Sequence, residues 1–311
     1  MPGVLLVLTG EELKEYGGLP CGMQMKSRDG TPLKKPVRPS LVLDKVRFVG
    51  DPVACVIAET AAQAKDAAEV VMVEIDALPA VTTAREGAAP GAPELYEDVP
   101  RNVALDFHFG DEEATKAAFD GAAHVTRLDI RNNRIVVASM EPRSALAEFD
   151  SGSGRFTMRI GCQGAFGMRR QLAGLLKVEP DRVRVLTGNV GGSFGMKSFV
   201  YPEYVCLFHA ARALGRPVKW TDERSSSFLS DQQGRDHEVL GELALDEEGR
   251  FLAVRLNIHA NLGGYMAGVG PNMSTNNAVK NITSVYRTPL IEINTKCVFT
   301  NTTVVSAYRG A

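Results

Sequence analysis

The chain has 311 residues, 44% of them hydrophobic and 23% charged, with a formal net charge of −2. That length leaves room for two or three domains, and the composition is that of a globular protein with sizeable cores. The near-neutral balance gives no electrostatic reason to expect nucleic-acid binding, and no apolar run reaches the ~20 residues a membrane helix needs. Val4 to Leu8 is too short for a secretory core and has no basic residue before it, so a cytoplasmic location is expected. The five cysteines, Cys21, Cys55, Cys162, Cys206 and Cys297, form no C-x-x-C pair. Zinc-type and iron–sulfur spacings are therefore absent, and the odd, scattered count argues against a disulfide framework.

Residues 1–80 have the pattern of a small α/β unit. Val4 to Leu8 is a predicted strand, and Glu11 to Tyr16 a short helix stopped by Gly17-Gly18. Residues 19–40, with four prolines, predict a long loop. Strands are predicted at Lys45–Val49 and Val53–Ala58 around the turn Gly50-Asp51-Pro52. Thr60 and Gln63 have capping-box spacing and predict a helix with Ala61, Ala64, Ala68 and Val71 on one side. Val71 to Ile75 can supply a closing strand.

The Pro- and Gly-rich stretch 79–105 has linker composition. Beyond it the pattern predicts a helix over Asp111–Phe119 and strands at Val125–Ile130, Ala145–Phe149 and Phe156–Ile160. Met140-Glu141-Pro142-Arg143 interrupts the alternation. Later elements are a helix over Tyr201–Leu214 stopped by Gly215, a short strand at Val218–Trp220, a hairpin of Val239–Leu245 with Phe251–His259, and a strand over Ile291–Asn301. The five histidines show no H-x-x-x-H spacing, and solvated or core histidine is the expectation for each.

Two stretches carry the chemistry. An apolar run ends at Thr187, and Gly188, Gly191, Gly192 and Gly195 follow before a helical run. Gly192-Ser193-Phe194-Gly195-Met196-Lys197 repeats, 28 residues on, the pattern of Gly164-Ala165-Phe166-Gly167-Met168-Arg169. Both follow a predicted strand and open a helix, so two corners can face one ligand. Glycine lets the backbone approach closely, and a helix N-terminus offers free N–H groups to anions. A pair of plain tight turns is the competing reading. The dinucleotide fingerprint fails, because Val190 stands where its first Gly belongs. A phosphate loop fits Gly191, Lys197 and Ser198, but Met196 replaces its second Gly.

Gly191-Gly192-Ser193-Phe194-Gly195-Met196-Lys197, Gln163-Gly164-Ala165-Phe166 and the terminal Ala307-Tyr308-Arg309-Gly310-Ala311 occur in one family in this order and at similar intervals. On these motifs the chain resembles the molybdenum-binding (large) subunit of the xanthine oxidase / aldehyde oxidase / carbon monoxide dehydrogenase family. The resemblance runs over essentially the whole chain, since Val46 to Ala58, the Ala-rich helix and Val73-Glu74-Ile75 resemble that family's hammerhead domain. It implies an α/β (α+β) fold with a hammerhead domain at 1–82, a linker at 83–110 and the first part of a molybdopterin-binding domain at 111–311.

The implied activity is oxidative hydroxylation of an aldehyde or N-heterocycle with water as oxygen source. The implied cofactor is molybdenum on molybdopterin, in the cytosine dinucleotide form. An iron–sulfur subunit and an FAD subunit are the implied partners, in a dimer of heterotrimers. By the resemblance Gln163 hydrogen-bonds an oxygen ligand of the metal, Phe194 lines the substrate path, and Arg309 lies near metal and substrate. Gln163, Gly164, Ala165, Phe166, Gly191, Gly192, Ser193, Phe194, Gly195 and Arg309 cradle the cofactor, and no side chain ligates the metal. Departures narrow the implication. CO-oxidising members carry Cys where this chain has Gly310, so a copper site is not expected; purine-oxidising members commonly carry Glu at Ser198. The family begins before the equivalent of Val4 and continues far beyond Ala311, where its general-base glutamate lies. The 311 residues alone are therefore expected to be inactive. A non-catalytic fragment or assembly module of the same fold, and a P-loop-like nucleotide-binding protein, are the alternatives.

Overall fold

The computed structural model describes residues 1–309. In chain order the strands and helices are β1 (Val4–Leu8), β2 (Cys55–Ala58), α1 (Ala61–Glu69), α2 (Ala84–Gly87), β3 (Val103–Phe109), α3 (Glu112–Asp120), β4 (His124–Asn132), β5 (Ser144–Asp150), β6 (Arg155–Ile160), α4 (Ala165–Leu176), β7 (Val183–Leu186), α5 (Pro202–Leu214), β8 (Val218–Thr221), α6 (Arg224–Ser230), β9 (His237–Leu245), β10 (Phe251–Gly263), α7 (Gly270–Met273), α8 (Asn276–Asn281) and β11 (Leu290–Phe299). Among the described residues no helix is long and apolar enough to cross a membrane.

The chain divides into two compact units, each discontinuous in sequence. The first combines Met1–Pro20, Val37–Pro79 and Val137–Asp231. It holds the antiparallel ribbon β1–β2 and a four-stranded sheet in the order β7-β6-β5-β8, with β6 and β7 parallel. β6 buries alternate residues, Phe156, Met158 and Ile160, as a strand with one face on a core must. α5 packs on β5 and β8 and also touches β2, and it is buried over most of its surface, from Tyr204 to Ala211. Pro202 starts it with a preset φ, and Gly215 ends it in the left-handed conformation at φ 62°. Phe208 meets Phe156 edge-on with ring centroids 5.2 Å apart.

The second unit takes Cys21–Pro36, Ala80–Val136 and the described chain from Gln232 onward. Its five-stranded sheet has the order β3-β11-β10-β9-β4, antiparallel except for β10–β11. The loop predicted at 19–40 is thus shared between the units, its middle belonging to the second.

Several local expectations are overturned. Lys45–Val49 and Val71–Ile75 form no strand. Val49, Val71, Val73 and Ile75 are all exposed, and no neighbouring strand takes their backbone groups. A β-branched run becomes a strand only where a partner supplies ladder bonds and cover. Glu11–Tyr16 forms successive turns with i→i+3 bonds, Leu13 N–H to Gly10 and Tyr16 N–H to Leu13, too short to nucleate a helix. The capping box of Thr60 and Gln63 is present, but α1 buries Ala67 and leaves Ala61 and Ala68 exposed. The linker predicted at 83–110 contains α2 and ends in β3, the strand that borders β11. Buried Asn102 organises the Pro-rich part: its amide donates to the Gly87 and Pro93 carbonyls and its carbonyl accepts from Leu95 N–H.

Candidate cofactor site

Parallel pairing of β6 with β7 brings the two Gly-rich turns together. β6 ends at Ile160 and β7 at Leu186, and α4 is the crossover between them. Both loops therefore leave neighbouring strands at their C-terminal ends, where ligands bind in open α/β sheets. Backbone bonds join the loops: Gln163 N–H donates to the Lys197 carbonyl at 3.0 Å. Gly164, Gly192 and Gly195 have φ of 121°, 100° and 105°, which a side chain rarely tolerates. Phe194 takes φ 53° without that freedom. Unlike the prediction, the second loop opens no α-helix directly; Met196–Ser198 make one 3-10 turn before α5 begins at Pro202.

Gln163 is held by its carbonyl end. Oε1 accepts from Ser193 Oγ at 2.7 Å, Gly195 N–H at 3.1 Å and Ser198 Oγ at 3.1 Å. A backbone N–H can only donate, so the Gly195 contact settles which end of the amide is oxygen. The NH2 group is left on the exposed side as an oriented donor. Next to it, α4 starts at Gly164 with no side-chain cap and no acidic residue in its first turn. Its first N–H groups have no intrahelical partner and suit an anion. Ala165 and Phe166 lie in that turn, and Phe166 is 79% exposed.

Glu141 was not predicted as a site residue, and Lys197 was named in the second Gly-rich motif without a role in the cofactor site. Lys197 is 1% exposed, and its Nζ donates to Glu141 Oε2 at 2.7 Å and to the Glu141 carbonyl at 2.8 Å. Glu141 Oε2 also accepts from Gly191 N–H at 2.8 Å, while Glu141 N–H donates to the Gly191 carbonyl at 3.0 Å. The Lys197 hydrogen bond, with help from Gly191, holds the Glu141 carboxyl below its usual range despite partial burial. Gly191 is required here, because a Cβ would lie 2.5 Å from Glu141 Cβ. The interruption at Met140–Arg143 was the available signal. Its Arg143 is fully buried, bonded to both oxygens of Glu203 and to Asp231. A P-loop lysine must reach a phosphate; Lys197 is committed to Glu141 instead, which removes the support for that alternative.

Arg309 belongs to the second unit, exposed and at φ 49°. Its neighbour Tyr308 packs against Gly234, with Arg235 5.6 Å above its ring. The structure thus joins Gln163, Ser193, Gly195 and Ser198 in one hydrogen-bonded corner, with Gly164 next to Gln163. Gly310 and Ala311 lie outside the described residues.

Residues 95–311 match the family described as molybdopterin cofactor-binding domain. The chain belongs to that family. Residues 1–79 match the aldehyde oxidase and xanthine dehydrogenase a/b hammerhead domain. Over 99% of its length the chain is 35% identical to the gamma subunit of the 6-hydroxypseudooxynicotine dehydrogenase complex of Paenarthrobacter nicotinovorans, covering 38% of that protein. It is 32% identical to the carbon monoxide dehydrogenase large chain of Hydrogenophaga pseudoflava over 97% of its length, again 38% of the relative. Quinoline 2-oxidoreductase from Pseudomonas putida 86 superimposes with a TM-score of 0.90 at 29% identity, over 99% of this chain and 39% of that one. The molybdopterin-binding fold has the hammerhead domain first, as the resemblance implied, and the chain spans a little over a third of these relatives.

Proposed function

We propose that this chain serves in a molybdenum hydroxylase, a molybdopterin-dependent oxidoreductase that hydroxylates an aldehyde or N-heterocycle with water as oxygen source, in the cytoplasm. The observation that carries the reading is the Gln163 amide, fastened by its oxygen to Ser193, Gly195 and Ser198 with its donor end exposed between two glycine corners. A neutral donor can orient an oxygen ligand of the metal without adding charge. The uncapped start of α4 and the backbone of Gly192 and Ser193 suit the acceptors and phosphates of a pterin, in the cytosine dinucleotide form. When bound, the molybdenum–pterin group supplies the redox chemistry, and this chain supplies placement and electrostatics.

In this reading Gln163, Phe194 and Arg309 face the reacting centre. Gly164, Ala165, Phe166, Gly191, Gly192, Ser193 and Gly195 hold the cofactor. The relatives named as subunits of complexes support iron–sulfur and FAD partner subunits, in a dimer of heterotrimers. The names nicotine 6-hydroxylase and quinoline 2-oxidoreductase favour an N-heterocycle. The test is Gly192→Val in the assembled enzyme. A side chain there is strained at φ 100° and meets Ser139 Cβ at 3.2 Å as well as blocking backbone approach. Molybdenum and pterin content should fall while circular dichroism is retained; full cofactor occupancy would sink the twin-loop assignment.

A further inference from the structure

In the second unit, His108, Glu112 and Glu292 bring a ring nitrogen and two carboxylate oxygens within 4.8 Å of one another. Three different elements supply them. His108 is the penultimate residue of β3 and pairs across the ladder with Asn294 of β11. Glu292 lies two residues earlier on β11 and so shares a face with Asn294. Glu112 is the first residue of α3, which packs on β10 and β11. His108 and Glu112 are four residues apart but on different elements, and Glu292 lies far along the chain, so no linear spacing rule links all three and the sequence shows no metal signal here.

We propose that these three side chains form a binding site for a divalent first-row metal ion of the zinc class. His108 Nε2 is buried and has no hydrogen-bond partner, and it stands 3.8 Å from Glu292 Oε1, too far for a hydrogen bond. A buried ring nitrogen without a partner needs an explanation, and an ion between the two groups provides one. With metal–ligand distances of about 2.0–2.2 Å, tetrahedral ligand atoms lie roughly 3.3 Å apart. The existing separations close to that value by small side-chain movements, chiefly of exposed Glu112. Glu292 is already oriented: Arg255 Nε donates to Oε2 at 2.7 Å and Asn294 Nδ2 to Oε1 at 3.1 Å. Such supporting bonds are the usual companions of a ligating carboxylate. One imidazole with two carboxylates selects zinc, cobalt, nickel or manganese over calcium or magnesium. Glu112 and Glu292 also line a cavity of about 480 Å³ with Arg127, Arg255 and Asn257, which leaves room for water on the open positions of the ion. Bound there, the ion fastens the start of α3 to the β3–β11 edge.

The probe is zinc itself, titrated into the chelator-treated holoenzyme in competition with a chromophoric chelator. Zinc X-ray absorption and circular dichroism are recorded on the same samples. One saturable site per chain is expected, with nitrogen and oxygen but no sulfur neighbours. Glu112→Gln, an exposed change at a helix start, should weaken binding by about tenfold or more, and His108→Gln further still. Both variants should keep the wild-type dichroism. Absence of saturable binding at micromolar free zinc, sulfur in the zinc shell, or unchanged affinity in Glu112→Gln would each overturn the site.

Discussion

Replacing Gln163 by Glu separates the two jobs assigned to this side chain. The carboxylate keeps an oxygen for Ser193 Oγ, Gly195 N–H and Ser198 Oγ, which now donate to a charge. Charge-assisted bonds are at least as strong as those they replace, so the loops should hold to within about 1 kcal/mol. The outward atom changes from NH2 to an anionic acceptor. Losing one oriented donor where negative charge develops typically lowers kcat by about 10²–10³, or roughly 2.7–4 kcal/mol. Gln163→Ala is the contrast: it removes all three acceptor contacts, each worth about 0.5–1.5 kcal/mol at most, and water replaces part of them because the site is exposed. The assay is dye-linked oxidation by the assembled enzyme, normalised to molybdenum content and paired with thermal unfolding. Gln163→Glu should unfold like wild type and turn over poorly. A Gln163→Glu enzyme with near wild-type kcat at full molybdenum occupancy would refute the donor role.

Arg143→Met should cost about 3–5 kcal/mol, because it strands Glu203, Asp222 and Asp231 around a buried site, and should lower Tm by roughly 6–20 °C. Desolvation holds Asp222 and Asp231 above their usual range while Arg143 pulls them down. A raised folded value gives stability that is full below the unfolded value and lost as pH rises through the folded one. Without Arg143 both values climb, so the deficit should be smallest near pH 4 and largest near pH 7 in denaturant titrations; a pH-independent deficit would contradict this. Gly191→Ala should lose about 1–3 kcal/mol through the 2.5 Å approach to Glu141, whereas Gly188→Ala, with open space at its Cβ, should stay within about 0.5 kcal/mol by chemical denaturation.

Local chemistry made much of this protein legible from its residues. The strands β5 and β6 follow period-two burial, α5 is bounded by Pro202 and Gly215, and the capping box of Thr60 and Gln63 starts α1, because each depends on neighbours within a few positions. The paired glycine turns were legible for the same reason, since a strand and a tight turn are encoded contiguously, although only the first opens an α-helix directly; Gln163 was singled out mainly by the family resemblance. The strands expected at Lys45–Val49 and Val71–Ile75 failed where the missing ingredient was a partner, which composition does not contain. Only tertiary structure set the parallel pairing of β6 with β7 that makes two turns into one corner, and only it turned Gln163 so that its oxygen faces inward. The same holds for the Glu141–Lys197 pair, 56 residues apart, and for Arg143 among three carboxylates. Charged groups declare their residue type in sequence, but whether they are solvated or buried and paired depends on long-range packing. That packing also decided which stretches share a core, drawing residues 37–79 and 137–231 into one unit and 21–36 into the other.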